Sequence, residues 1–116
     1  QRETRLEMQF EAHCNAMPME MMSGMVEAQR LRDAQFSKAT LLALRSYGAP
    51  VAVITGNGHA RRDWGMPHMI GLADPKVMVL SIGFVEHPAE PNDARFDITI
   101  ATPAALRGDP CAAFQN

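Results

Sequence analysis

Residues 51 to 63, Val-Ala-Val-Ile-Thr-Gly-Asn-Gly-His-Ala-Arg-Arg-Asp, tie a hydrophobic segment directly to a cluster of reactive side chains. Val51, Val53 and Ile54 suit a strand buried on both faces, as in a parallel sheet. The run stops at Gly56-Asn-Gly58, where glycine lets the backbone turn sharply or come close to a ligand. His59 is thereby delivered near the carboxyl end of a strand, the rim at which open α/β sheets bind ligands. Arg61 and Arg62 add positive charge at the same rim.

The flanking sequence predicts helix, helix, this strand, a short helix, a strand, a loop and a strand. Residues 3 to 12 are rich in helix formers and predict a helix ending near His13. Cys14 to Pro18 is a connector, and Pro18 suits a first helical turn. A second helix is predicted from Met19 to Ser46, with Met21, Met25, Ala28, Leu31, Ala34 and Leu42 as its apolar face. On it, Arg30 can pair with Glu27 or Asp33 at a spacing of three. Gly48 and Pro50 stop that helix. Pro67 to Leu72 reads as a short helix closed by Asp74-Pro75. Lys76 to Val85 reads as a second buried strand, His87 to Arg95 as a loop. Phe96, Ile98 and Ile100 alternate on one face of a third strand, expected as an antiparallel edge because no crossover helix precedes it.

The fold class is therefore α/β, a mostly parallel sheet flanked by helices. Three strands are too few to cover two that read as buried on both faces. Residues 1–116 are accordingly expected to be the carboxyl-terminal part of a larger three-layer domain, or to assemble with a partner. The start at Gln1 rather than Met fits a processed or partial chain.

Charge and composition narrow the function. The chain has 116 residues, a net charge of −2 and a pI near 6.1, so no nucleic-acid footprint is present. No apolar run reaches the roughly 18 residues of a membrane span. Cys14 and Cys111 do not form a C-x-x-C metal pair. They either close one long disulfide loop or are two buried thiols.

His59 is the leading candidate as a haem ligand, metal ligand or general base. Its bland alternative is a histidine bonded to the loop backbone. Glu11 and His13 could share a metal if their segment is extended, since alternate residues of a strand share a face. As the end of a helix they would not. Met17, Met19, Met21, Met22 and Met25 offer soft thioethers suited to Cu(I) or haem iron, though adaptable core packing is the ordinary use of such a stripe. Arg30, Arg32 and Asp33 are either a carboxylate-binding group or a solvated helix face. Trp64 could wall a flat ligand, with packing as its default. His68 and His87 fall in expected loops and rank low. No serine nucleophile elbow and no H-E-x-x-H motif is present, and an enzyme is the less favoured reading.

Glu11-Ala-His-Cys14, Met17-Pro18, Gly24-Met-Val-Glu-Ala-Gln-Arg-Leu-Arg-Asp33, Ile54-Thr-Gly-Asn-Gly-His-Ala-Arg-Arg-Asp-Trp-Gly65 and Asp109-Pro-Cys111 resemble the ChaN-like family of iron-regulated, haem-binding bacterial lipoproteins. The family belongs to a wider group with Tiki-type metalloproteases and erythromycin esterases. That group is marked by two Gly-x-x-His motifs and an arginine on an intervening helix. Gly56-Asn-Gly-His59 looks like the second motif, and Arg32-Asp33 like the helix arginine and its neighbour. The first motif, Gly-Glu-x-His, is absent, which implies that Gln1 lies inside the family domain.

The resemblance implies haem binding in bacterial iron acquisition, in a lipid-anchored protein of the outer or cell-surface membrane. Haem needs an apolar wall, an axial ligand and cations for its propionates. Met21, Met25 and Trp64 are the expected wall, His59 or His13 the ligand, and Arg61, Arg62 and Arg32 the cations. The alternative is a metal-dependent hydrolase with Glu11, His13 and His59 around a divalent ion that activates water. A homodimer is compatible with either.

Overall fold

A computed structural model describes residues 2–86 and 94–114. They divide into two compact units, one built from residues up to Leu31 together with those from Ala105 on, the other Arg32–Ala104. The fold is mixed α/β, with helices flanking a parallel sheet.

In the first unit, α1 spans Arg2–Ala12 and α2 begins at Met19. The chain leaves α1 through Cys14 and Asn15, both at positive φ (59° and 54°). The N–H of Asn15 returns to the Phe10 carbonyl at 3.0 Å, closing the helix end. Cys14 is joined to Cys111 by a disulfide, with the Cα atoms 5.3 Å apart. The cysteines thus take the bridged alternative. The tail turns at Asp109, whose carboxylate accepts from the Cys111 N–H at 2.8 Å, and runs into a 3-10 turn, Ala112–Phe114. Met22 and Val26 of α2 are buried.

In the second unit, α2 continues to Tyr47 and stops at Gly48 (φ 83°), followed by a cis Ala49-Pro50 bond. Next come α3 (Asn57–Ala60), α4 (Met66–Ala73), β1 (Ile82–Glu86) and β2 (Ile98–Thr102). Pro67 sits in the first turn of α4, where its missing N–H costs nothing, and Asp74 closes the helix by donating its N–H to Ile70. Leu41, Met66, Ile70 and Phe96 form the apolar core, with Asp33, Ser37, Arg61 and Ser81 buried beside them.

Four sequence expectations change. First, residues 51–55 form no ladder, and Val53 and Ile54 are exposed, Ile54 fully (101%). A strand exists only by pairing, and its apolar composition cannot supply a partner. Second, of the expected strand from Lys76 to Val85, only the end from Ile82 pairs; Met78, Val79 and Leu80 are exposed.

Third, β1 and β2 run parallel, with Ile82 opposite Ile98 and Glu86 opposite Thr102. The expected antiparallel edge assumed that a parallel return needs a helix. Eleven connecting residues, 87–97, are chain enough for the return. Residues 87–93 of the expected loop, His87 included, lie outside the described residues. Ile98 and Ile100 are exposed, whereas Phe96 is buried. Phe96 precedes the strand, so alternation does not bind it, and its ring covers Gly83, where a Cβ would collide with it.

Fourth, the buried positions of α2 are Met22, Val26, Asp33, Ser37 and Leu41. The expected stripe is not the buried one: Met21, Ala28, Leu31, Ala34 and Leu42 are exposed and Met25 is half-buried. Hydrophobicity alone misplaced it because two of the buried positions are polar. Each has a partner, and Ser37 donates to the Met66 carbonyl at 3.3 Å.

Candidate functional site

The loop that carries His59 is pinned at both ends. Asn57 donates its side-chain amide to the Phe84 carbonyl of β1 at 2.5 Å. The Ala60 carbonyl accepts from the Ser81 hydroxyl. The Arg62 N–H reaches the Arg95 carbonyl at 2.8 Å, and the Arg62 guanidinium pairs with Asp97 at 2.9 Å. Asp97 also accepts from the Ser81 N–H just before β1. Between these ties, the N–H of His59 bonds the Gly56 carbonyl in the single turn of α3. The loop is thus tied to the sheet region through its backbone and Asn57, whereas the strand at 51–55 expected to deliver His59 is not formed.

The His59 ring meets α2. Its Nδ1 lies 2.6 Å from Oδ1 of Asp33. Asp33 is fully buried (0%), whereas the His59 side chain keeps 17% of its surface. Phe36, one turn on from Asp33, meets the imidazole edge to face, with centroids 5.3 Å apart and planes at 71°. A carboxylate, an aromatic edge and a loop turn therefore fix one imidazole. The backbone-bonded alternative for the His59 ring is displaced by a side-chain partner.

The glycine that this loop needs is Gly65. A Cβ there would collide with the carbonyls of His59 and Arg61. Gly56 has an ordinary extended backbone (φ −68°, ψ 151°) and open space around a Cβ. Close packing of backbone on backbone is found at Gly65, in the turn that follows the loop.

Arg61 is buried at 6% and its charge is fully engaged. It grips Asp63 bidentately, with Nε to Oδ1 at 2.8 Å, and lies 3.5 Å above the Trp64 ring centroid. Burial pushes the Asp63 carboxyl up. The hydrogen bond and charge of Arg61, with the N–H groups of Asp63 and Trp64, outweigh it and hold the carboxyl below its usual range. Arg61 and Trp64 thus form a structural stack, which covers a face of the ring that was expected to wall a ligand. Arg62 is half-exposed beyond its Asp97 pair, and Arg32 is exposed on α2.

The remaining candidates lie elsewhere. Glu11 is exposed in the last turn of α1, and His13, just past its end, binds the Gln9 carbonyl through Nδ1 at 2.7 Å. In a helix end, residues two apart do not share a face, so the shared-metal geometry proposed for an extended segment is not formed. Among the described residues, no three His, Cys, Asp or Glu side chains come together to hold a metal ion. Met21 is exposed and Met25 half-buried, both in the first unit. Arg30 pairs with Glu27 at 3.3 Å. His68 is exposed on α4.

Asp33, grouped in the sequence with Arg30 and Arg32 as a carboxylate-binding set or a solvated face, is the residue that sequence reasoning did not pair with His59. The available signals were its place beside Arg32 in the family resemblance and its position four residues before Ser37 and eight before Leu41, on one helical face.

The family description "haem-binding uptake, Tiki superfamily, ChaN" matches residues 1–70, and the chain belongs to that family. The matched span contains Asp33, His59 and Trp64; Asp109-Pro-Cys111 lies beyond it. No curated protein and no solved structure matches the chain.

Proposed function

We propose that the chain binds haem for bacterial iron acquisition, as cargo, at the His59 loop. The observation that carries this is the imidazole held by a buried carboxylate inside the span that matches a haem-binding family. The donor set fits haem iron. Metal-ligating histidines characteristically engage their second ring nitrogen with a carboxylate, a carbonyl or water, which orients the ring and raises its basicity. Iron coordination would then use Nε2. Arg32 and the half-exposed Arg62 are the cations for propionates; Arg61 is committed to Asp63 and Trp64.

The first unit's Met21, Met25 and His13 are not required by this reading. The setting is the bacterial envelope, with a lipid anchor holding the full-length protein to a membrane. Among the described residues, no helix is long and apolar enough to cross one. The hydrolase alternative, with Glu11, His13 and His59 around a metal, has no observation in its favour.

Titration with haemin tests the proposal. Binding is expected to saturate near one haem per chain, with a shifted Soret band and quenching of Trp64, the single tryptophan. A Soret band indistinguishable from free haemin across the titration contradicts it.

A further inference from the structure

We propose that Asp33 is a positioning residue that holds His59 as its Nδ1–H tautomer and presents Nε2 as an electron-pair donor to iron. The second half rests on the haem-binding reading; the first does not. A neutral imidazole carries one N–H donor and one lone-pair acceptor, and an ionised carboxylate only accepts. With Nδ1 and Oδ1 at 2.6 Å, a proton must lie between them. With the carboxylate ionised, the opposite tautomer would set two lone pairs against each other beside a fully buried oxygen, where an unmet polar pair is costly. The Phe36 ring packs against the imidazole in a T-shaped contact, and the His59 N–H bond to the Gly56 carbonyl fixes the backbone that carries it. The donor nitrogen is therefore chosen by a residue 26 positions earlier in the chain.

A merely structural ion pair would stabilise the fold without choosing a tautomer, so the tautomer is the quantity to read. Long-range proton–nitrogen correlation on the labelled 116-residue chain, without haem and at a pH of about 8.5, reports both ring nitrogens of His59 directly. The expected spectrum has a protonated, pyrrole-like Nδ1 and an unprotonated, pyridine-like Nε2. In Asp33→Asn the side-chain amide can donate to Nδ1, and the pattern should reverse to Nε2–H. The same variant should then bind haemin about 10–100-fold more weakly, the usual cost of losing a carboxylate behind a ligating histidine, with an unchanged circular dichroism spectrum.

An Nε2–H or doubly protonated ring in the unaltered chain overturns the proposal, and needs no variant. So does an Asp33→Ala chain, which has no acceptor for Nδ1–H, that folds and keeps the original tautomer. If the tautomers behave as expected but His59→Ala binds haemin with an unchanged Soret band, the iron half falls with the haem-ligand reading and the positioning half stands. Should Asp33→Asn fail to fold, Asp33→Glu is the second variant, expected to preserve the Nδ1–H tautomer.

Discussion

Asp33 and His59 meet at 2.6 Å, one on the long helix α2 and the other in the single turn of α3. The carboxylate is wholly buried and the imidazole is not. Burial of a carboxylate is tolerated only when it is hydrogen-bonded or paired. Here the pairing also fixes the orientation of a side chain that still reaches the surface. A core interaction and a partly exposed imidazole are thus joined in the same two residues.

The two glycines around this loop separate by consequence. Gly65→Ala should lower stability by about 1–3 kcal/mol, because its Cβ would strike backbone carbonyls that cannot swing aside. Gly56→Ala should change stability by no more than about 0.5 kcal/mol. Urea denaturation of the two variants side by side checks this; equal losses would mean that the Gly65 contact is not tight.

Arg61→Lys should cost about 1–3 kcal/mol, although charge is conserved. Lysine cannot make the bidentate grip on Asp63 together with flat stacking on Trp64. The emission maximum of the sole tryptophan should shift as its covered face opens to water. An unaltered melt and emission spectrum would show that the stack contributes nothing.

Asp63 predicts an acid limb of stability. Its folded pKa lies below the ordinary aspartate value of 3.8, so the unfolded chain takes up the proton first as pH falls. The stabilisation is therefore fully present above about pH 4–5 and is lost as pH drops through the folded pKa. Urea midpoints of the unaltered chain and Asp63→Asn should differ by a constant amount between about pH 5 and 7. They should converge below about pH 4. A gap that shows no dependence on pH on the acid side of about pH 5 would contradict the assignment.

The Cys14–Cys111 bridge closes a loop with a sequence separation of 97. Loop entropy gives it roughly 3–5 kcal/mol. Reduction, or Cys14→Ser with Cys111→Ser, should lower the denaturation midpoint accordingly. Free-thiol titration of the unfolded, unreduced chain should find no thiol; two would sink the bridge.

What was legible in the sequence was local. Both ends of α2 follow from Pro18 at its start and Gly48-Ala-Pro50 at its end, and α4 follows from Pro67 and Asp74. These signals act through backbone chemistry at the residue itself. The run 51–55 was misread because β-branched composition reports fitness for a sheet, whereas a ladder needs a neighbour. The parallel order of β1 and β2 depends on a chain path that alternation does not encode. His59 was found from its local context, a polar side chain after an apolar run and two glycines. Asp33 was not, because its partner is 26 residues away and nothing nearby marks a carboxylate that will be buried.

The most direct measurement is the visible spectrum of His59→Ala beside that of the unaltered chain during parallel additions of haemin. The account predicts a saturating, shifted Soret band for the unaltered chain, and its loss or displacement in a His59→Ala chain whose circular dichroism is unchanged. Identical bands and identical affinity in the two chains would contradict it.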